Sequence, residues 1–228
     1  MSLRTPATAS IAVRLDATTA AHRLLQHPFY KAWSDGRLDL DDITYYSTQY
    51  WRQVEAFPGY LEALARRLPR SKARSIVLAN LADERDGNHP GLWLRFAETV
   101  GARTKDVLTA REEPETEACV DAFRKGVKNG STAFGLGMLY GYESQTPEVS
   151  ATKIAGLSDH YGISGDGLKY FALHGELDVE HSAQLAQAID DVVGDETDLD
   201  QAEAGARAGA EAIWGLLDGV VRARAIAC

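Results

Sequence analysis

The sequence predicts an all-α protein with a single domain. Nearly every segment carries apolar residues at the three- and four-residue spacings of an amphipathic helix, and glycines, prolines or short polar runs separate the segments. The chain has 228 residues, of which 45% are hydrophobic, and this suffices for one sizeable core. No internal repeat divides it. We expect a flexible N-terminus over residues 1–15 and one helical domain over residues 16–228.

Charge and cysteine content exclude several classes of protein. The formal net charge is -9, with acids interspersed among bases, so the chain lacks the basic surface that nucleic-acid binding needs. No apolar run is long enough to cross a membrane, and the first residues lack the features of a secretory signal. Two cysteines, Cys119 and Cys228, are too few for a disulfide framework. We expect a cytoplasmic protein without nucleic-acid or membrane partners.

The first elements are predicted from their breakers and caps. A helix over about residues 16–26 should end before Pro28, because the residue preceding a proline disfavours the α conformation. Residues 27–30 are then a loop or short turn. Asp39 is suited to cap a long amphipathic helix, which Pro58 should kink.

A corner follows this long helix. Residues 71–84 form the next predicted helix, which is broken near Gly87, and Asn88 can cap a further helix with a proline in its first turn. Glu84 and His89 therefore flank the corner.

The rest of the chain is predicted as long helices separated by glycines. The last of them carries an apolar stripe that is typical of helix packing. These helices cover about residues 114–128, 131–157, 165–191 and 198–225.

His174, Asp178 and His181 share one face of a predicted helix. At 100° per residue, they fall within a wedge of about 60°. Apolar neighbours such as Phe171 and Leu185 lie close to that face, so burying these groups without partners would be costly. Imidazole and carboxylate ligands at this spacing indicate a first-row transition metal.

Other helices can supply similar ligands. Glu143 stands in a small, apolar run where an unpartnered acid would be expensive. Glu84 has a second interpretation as a solvated acid near a helix end, and His89 lies across the corner from it. With the three residues of the later helix, these would give three carboxylates and three imidazoles. Such a set suits two divalent iron or manganese ions in a helical bundle.

Several short runs carry a resemblance to a known family. They are His27–Tyr30, Glu55–Pro58, Asn80–Glu84, Asn88–His89, Leu92–Trp93, Tyr142–Gln145, Lys153–Ile154 and His174–His181. In this order, over about residues 20–190, they resemble the haem-oxygenase-like dimetal oxidases. More closely, they are similar to the group formed by the chlamydial proteins associating with death domains and their bacterial relatives.

The resemblance implies a haem-oxygenase-like bundle of about seven helices and a homodimer. It also implies two divalent metal ions, either two irons or a manganese and an iron. The ligands that match are Glu84, His89, Glu143, His174, Asp178 and His181. Since the corner before His89 is shorter than in most relatives, Asp83 or Asp86 could compensate for a displaced Glu84.

The resemblance further implies an oxygen-activating oxidoreductase. Members of the closest group are implicated in making p-aminobenzoate for folate synthesis, with a tyrosine of the protein as precursor and a lysine as amino source. The matching positions are Tyr30 and Lys153, and Tyr46 and Tyr142 match other tyrosines near the site. Dioxygen and an external reductant would be co-substrates.

Two other functions stay open. The dimetal centre could act on a diffusible amino acid or fatty acid, in which case Tyr30 would only line the wall of the site. Alternatively, the chain could be a non-enzymatic interaction protein, although such a module has no need for six converging ligands.

Overall fold

The computed structural model describes residues 10–227. Residues 1–9, which belong to the predicted flexible N-terminus, and Cys228 lie outside this part. The described residues form helices without any strand, which confirms the prediction of an all-α, single-domain protein. The α-helices are α1 Ile11–Thr19, α2 Pro28–Ser34, α3 Leu40–Arg67, α4 Lys72–Asp86, α5 His89–Thr99, α6 Thr104–Thr109, α7 Pro114–Asn129, α8 Thr132–Glu143, α9 Thr146–Tyr161, α10 Lys169–Val192 and α11 Glu196–Arg224.

These helices outnumber the seven or so expected because several of them are short. The first, α1, begins before the predicted start at residue 16, and Leu15 is fully buried. Short 3₁₀ turns over Ala20–His22 and Leu24–Gln26 replace the end of the predicted first helix. The folded part therefore includes residues assigned to the flexible terminus.

The predicted loop over residues 27–30 is wrong, because Pro28 begins α2. His27 caps this helix, and its Nδ1 accepts a hydrogen bond from the backbone N–H of Phe29 at 3.0 Å. Proline is well suited to a first helical turn, where its missing N–H would have no partner in any case. Tyr30 is thus held on a helix.

The long helix α3 forms as predicted. Asp39 and Asp42 make a reciprocal capping box at its start. Pro58 lies inside the helix, which continues to Arg67.

The predicted helix over residues 131–157 is two helices. α8 ends at Glu143 and α9 begins at Thr146, with Pro147 in its first turn. In a continuous helix this proline would lack the N–H that bonds the carbonyl four residues earlier, so the break falls just before it. Glu143 therefore stands at the end of a buried helix.

Small residues allow α8 and α11 to cross closely. A Cβ at Gly141 would collide with the backbone carbonyl of Ala206, and a Cβ at Gly205 would collide with that of Phe134. This contact fixes α8, which carries Tyr142 and Glu143 into the interior. None of the helices in residues 10–227 combines the length and the apolar character needed to cross a membrane.

Candidate metal centre

An acid–imidazole group lies where α4, α5 and α10 meet. Glu84 Oε1 is 3.0 Å from His89 Nδ1 and 3.8 Å from His174 Nε2. One ligand atom from each of the three buried residues lies within 4.8 Å of the others, so the group could hold a metal ion. The structure therefore brings Glu84 and His89 together across the short corner.

The corner owes its shape to Gly87 and Asn88. Asn88 adopts a left-handed backbone with φ of 49°, which asparagine tolerates better than most residues. It occupies the predicted N-cap position of α5, but its side chain makes no capping hydrogen bond. A Cβ on Gly87 would lie 2.5 Å from His89 Nε2. Glycine is thus needed for the imidazole to fold back towards Glu84.

The other three predicted ligands form a looser second group between α8 and α10. Within the described residues, only the first group has ligand atoms that all lie within 4.8 Å of one another. His181 Nδ1 is 3.3 Å from Asp178 Oδ1. Glu143 accepts hydrogen bonds from Asn80 Nδ2 at 3.0 and 3.2 Å, one to each carboxylate oxygen. Glu143, Asp178 and His181 are all buried.

One internal cavity joins the two groups. Its volume of about 10 Å³ is close to the room that one water molecule needs. The residues that line it come from both groups and from the surrounding apolar wall: Val54, Phe57, Glu84, Tyr142, Glu143, Tyr170, His174 and Asp178.

Unpaired nitrogens leave histidines of both groups able to bind a metal ion. Both ring nitrogens of His89 and Nδ1 of His181 are buried and make no hydrogen bond. Each histidine has a carboxylate oxygen nearby, yet its nitrogen is not aligned for a hydrogen bond to that oxygen. A buried polar atom without a partner costs about 1–3 kcal/mol. Nitrogen and oxygen atoms that converge in this way suit divalent iron or manganese.

The carboxylates in the cavity ionise differently. Burial favours the neutral form of Glu84, but His174 and His89 outweigh it and lower the pKa of Glu84 to about 2. Burial and the charge of Asp178 raise the pKa of Glu143 well above its ordinary value. Bound cations would reduce the electrostatic repulsion between the acids that lie close together in this small buried cavity.

A second buried cluster of closely packed side chains, called the lysine pocket below, contains the predicted lysine and two of the predicted tyrosines. Lys153 Nζ donates a hydrogen bond to Tyr46 Oη at 2.7 Å and lies 5.5 Å from the centre of the Tyr30 ring. Burial lowers the pKa of Lys153 to about 7 and raises that of Tyr30 well above its ordinary value. The structure thus brings together a phenol ring and an amine that is partly neutral near pH 7.

Tyr50 links this pocket to the metal cavity. Its ring centre is 5.2 Å from that of Tyr46, and its Oη donates a hydrogen bond to Tyr142 Oη at 3.1 Å. On the cavity side, Tyr170 stacks on His174 with ring centres 4.1 Å apart. Three residues at the site were not predicted from the sequence: Tyr50, Tyr170 and Asn80. Tyr50 and Asn80 each lie four residues from a predicted site residue, and that spacing could have indicated them.

Comparison with known proteins identifies the family. Residues 44–214 match the model of a family described as an iron-containing redox enzyme. The chain belongs to this family. As a member of the iron-containing redox family, it is an enzyme with a buried Glu/His/His group that could bind a metal. The resemblance to haem-oxygenase-like proteins is confirmed.

Two relatives of this family member extend over nearly the whole chain. A protein of Nitrosomonas europaea named 4-aminobenzoate synthase is 37% identical over 94% of this chain and 92% of its own length. A protein of Chlamydia pneumoniae with the same name is 32% identical over 91% and 93%. Among solved structures, a TenA homologue from Pseudomonas syringae has a TM-score of 0.81 at 18% identity, covering 93% of both chains, and it shows the shared fold.

Proposed function

We propose that this protein is a 4-aminobenzoate synthase that makes its product from its own Tyr30, using an oxygen-dependent dinuclear metal centre. The observation that carries the proposal is the buried amine of Lys153 beside the Tyr30 ring, in a pocket connected through Tyr50 to the acid–imidazole cavity. Relatives of similar length are named for this product.

The proposed centre would be held by two groups of ligands. Glu84, His89 and His174 form one group, and Glu143, Asp178 and His181 form the other. Either two irons or a manganese and an iron suit these ligands. When bound, the ions would supply electrons to dioxygen, with an external reductant restoring them.

Tyr30 has the carbon skeleton that the product requires. Its side chain is a six-membered ring with a carbon and an oxygen in para positions, and 4-aminobenzoate carries a carboxyl carbon and a nitrogen in the same relation. The surrounding helices keep water away from this ring and hold it in one position, which limits side reactions.

In this proposal, Lys153 supplies the nitrogen. Because burial lowers the pKa of Lys153 to about 7, part of the amine population has a free lone pair at neutral pH. Its hydrogen bond to Tyr46 Oη fixes the direction of the amine relative to Tyr30. Tyr46 and Tyr142 would therefore act by positioning groups between the two pockets.

A diffusible substrate would need more space than this structure shows. The cavity has room for about one water molecule beside the ligands, so binding an amino acid or a fatty acid would require the surrounding side chains to move. A non-enzymatic interaction protein would have no use for buried, unpaired imidazole nitrogens. We further propose that the protein is a cytoplasmic homodimer without nucleic-acid or membrane partners. Dioxygen and an external reductant would be its co-substrates.

The test is a reaction without any organic substrate. Metal-free protein is loaded with Fe²⁺, with and without Mn²⁺, and then given oxygen and reductant. We expect 4-aminobenzoate to form and the mass of the peptide that contains Tyr30 to change. Tyr30→Phe should bind metal normally and make no product, whereas Asp178→Ala should lose metal from the second group and make no product. If Tyr30→Phe made the product at the wild-type level, the proposal that 4-aminobenzoate derives from Tyr30 would be wrong.

Tyr45→Phe is a matched control for this reaction. Tyr45 is next to Tyr46 on α3 but points away from the lysine pocket, with its hydroxyl bonded to Glu113. Its replacement should leave product formation unchanged. Oxygen consumption by the loaded wild type without product or mass change would instead favour a diffusible substrate.

A further inference from the structure

Asp83 lies directly behind one of the proposed ligands without belonging to either group. Its Oδ2 atom is 3.1 Å from His181 Nε2, within hydrogen-bond geometry. About half of the Asp83 side chain is exposed, whereas His181 is buried. Building on the metal site proposed above, we propose that Asp83 is a positioning residue that makes Nδ1 the metal-binding nitrogen of His181.

The argument follows from what each group can donate. A neutral imidazole has one N–H and one lone pair, and a carboxylate can only accept a hydrogen bond. Because His181 Nε2 faces the carboxylate of Asp83, Nε2 carries the proton in the neutral ring that metal binding requires, and the lone pair of that ring is on Nδ1. That Nδ1 atom is buried without a hydrogen-bond partner, 3.3 Å from Asp178 Oδ1. The free lone pair therefore lies within the second ligand group.

His174, on the same helix, shows the opposite arrangement. Its Nδ1 atom faces the backbone carbonyl of Tyr170 at 2.8 Å, so this nitrogen donates and Nε2 is left as the ligand. His174 Nε2 is the atom that lies 3.8 Å from Glu84 Oε1. Each histidine of α10 thus has a separate oxygen acceptor that selects its ligating nitrogen.

The arrangement gives a reason for two adjacent acids at the end of α4. Glu84 turns into the cavity as a ligand of one group, whereas Asp83 reaches the histidine of the other group. A carboxylate behind a ligating histidine orients the ring and increases its basicity, and removing it typically lowers metal affinity 10- to 100-fold.

The experiment measures metal affinity rather than activity. Metal-free wild type, Asp83→Ala and Asp83→Asn are titrated with Co²⁺ against a chelating indicator, and the visible absorption of bound Co²⁺ is recorded. We expect wild type to bind two ions, and Asp83→Ala to bind one of them about 10- to 100-fold more weakly with the other unchanged. The Co²⁺ affinity of Asp83→Asn should lie between those of wild type and Asp83→Ala, because the amide oxygen still accepts a hydrogen bond but carries no charge.

Asp86→Ala is the matched control, since Asp86 is an exposed acid on the last turn of the same helix. It should bind both ions as wild type does. Thermal unfolding of the metal-free variants checks that Asp83→Ala folds normally. Unchanged affinity for both ions in Asp83→Ala, or an equal loss at both sites, would overturn the role of Asp83. If wild type itself bound no Co²⁺, the proposed metal centre would fall as well, so the two failures are distinguishable.

Discussion

Lys153 buries an amine among aromatic rings, and the resulting free-energy cost depends on pH. Its Nζ lies 4.9 Å from the centre of the Phe171 ring and 5.0 Å from that of Tyr50. Burial lowers the pKa of Lys153 from 10.5 to about 7. In the unfolded chain the amine regains its ordinary pKa, so unfolding takes up a proton between these two pH values. The free energy of unfolding should therefore rise with pH across this window.

Lys153→Met should remove that pH dependence. At pH 7 we expect the variant to be more stable than wild type by roughly 2–4 kcal/mol, because it no longer buries an amine that the unfolded chain protonates. The difference should shrink by about 2 kcal/mol between pH 7 and pH 9. Urea denaturation of both proteins at the two pH values measures it. Lys169→Met, at a half-exposed position, should show no such change, and parallel pH curves for Lys153→Met and wild type would contradict the expectation.

The sequence predicted the proposed metal ligands better than it predicted the residues that contact and position them. His174, Asp178 and His181 were predicted to share a face because helical spacing alone places them there. Asn80 and Tyr50 were not, since their roles come from contacts between helices. Asn80 bonds Glu143 across α4 and α8. Its spacing of four residues from Glu84 indicates that it faces the site but does not identify its partner on another helix.

The corner between α4 and α5 shows how one missing side chain can determine a ligand. His89 folds back over Gly87 so closely that a methyl group there would lie 2.5 Å from Nε2 and 2.6 Å from Cδ2 of the ring. The backbone of Gly87 is itself right-handed, with φ of -73°. The need for glycine is therefore steric: a Cβ there would also lie 2.8 Å from the backbone oxygen of Asp83, so alanine would crowd both the imidazole and the turn.

Gly87→Ala should accordingly weaken the first ligand group. We expect Co²⁺ affinity at one of the two sites to fall at least about 10-fold, because His89 can no longer approach Glu84. Gly59→Ala is the matched control, since a Cβ at that position in α3 meets nothing within 4 Å. The control should bind both ions normally and gain about 0.5–1 kcal/mol of stability. Equal Co²⁺ affinities for the two variants would refute the steric account.

Prolines account for two of the differences between predicted and observed elements. Pro28 falls in a predicted loop or short turn, and Pro147 falls inside the predicted helix over residues 131–157. Each of them stands in the first turn of a helix in the structure. A proline disfavours the α conformation before it and suits the first turn after it, so the residue alone does not show on which side the helix lies. At α2 the N-cap shows that the helix follows the proline, because His27 Nδ1 accepts a hydrogen bond from the backbone N–H of Phe29.

At the scale of the whole molecule, the bundle brings acids from three helices into one dry cavity. Glu84 comes from α4, Glu143 from α8 and Asp178 from α10, and all three line the same small volume. The all-α fold and its family could be predicted because helical periodicity and short motifs extend along most of the chain. The convergence of these acids could not be derived from periodicity, since it depends on the close crossing of α8 and α11 and on the corner after α4.

Metal binding should therefore stabilise the entire bundle. Without cations, folding must bring these carboxylates together in a dry cavity, and burial with the charge of Asp178 raises the pKa of Glu143 well above its ordinary value. Ions that bind only the folded chain add about 2.7 kcal/mol each at a concentration 100 times the Kd. For a chain of this size, we expect the Tm to rise by about 5–10 °C per ion. Calorimetry of metal-free protein with Mn²⁺ or anaerobic Fe²⁺, reversed by a chelator, measures the shift. Asp178→Ala should lose about half of it, because removing one carboxylate leaves the second group incomplete whereas the first group keeps its ligands. An equal Tm rise in Asp178→Ala and wild type would show that the ions bind elsewhere.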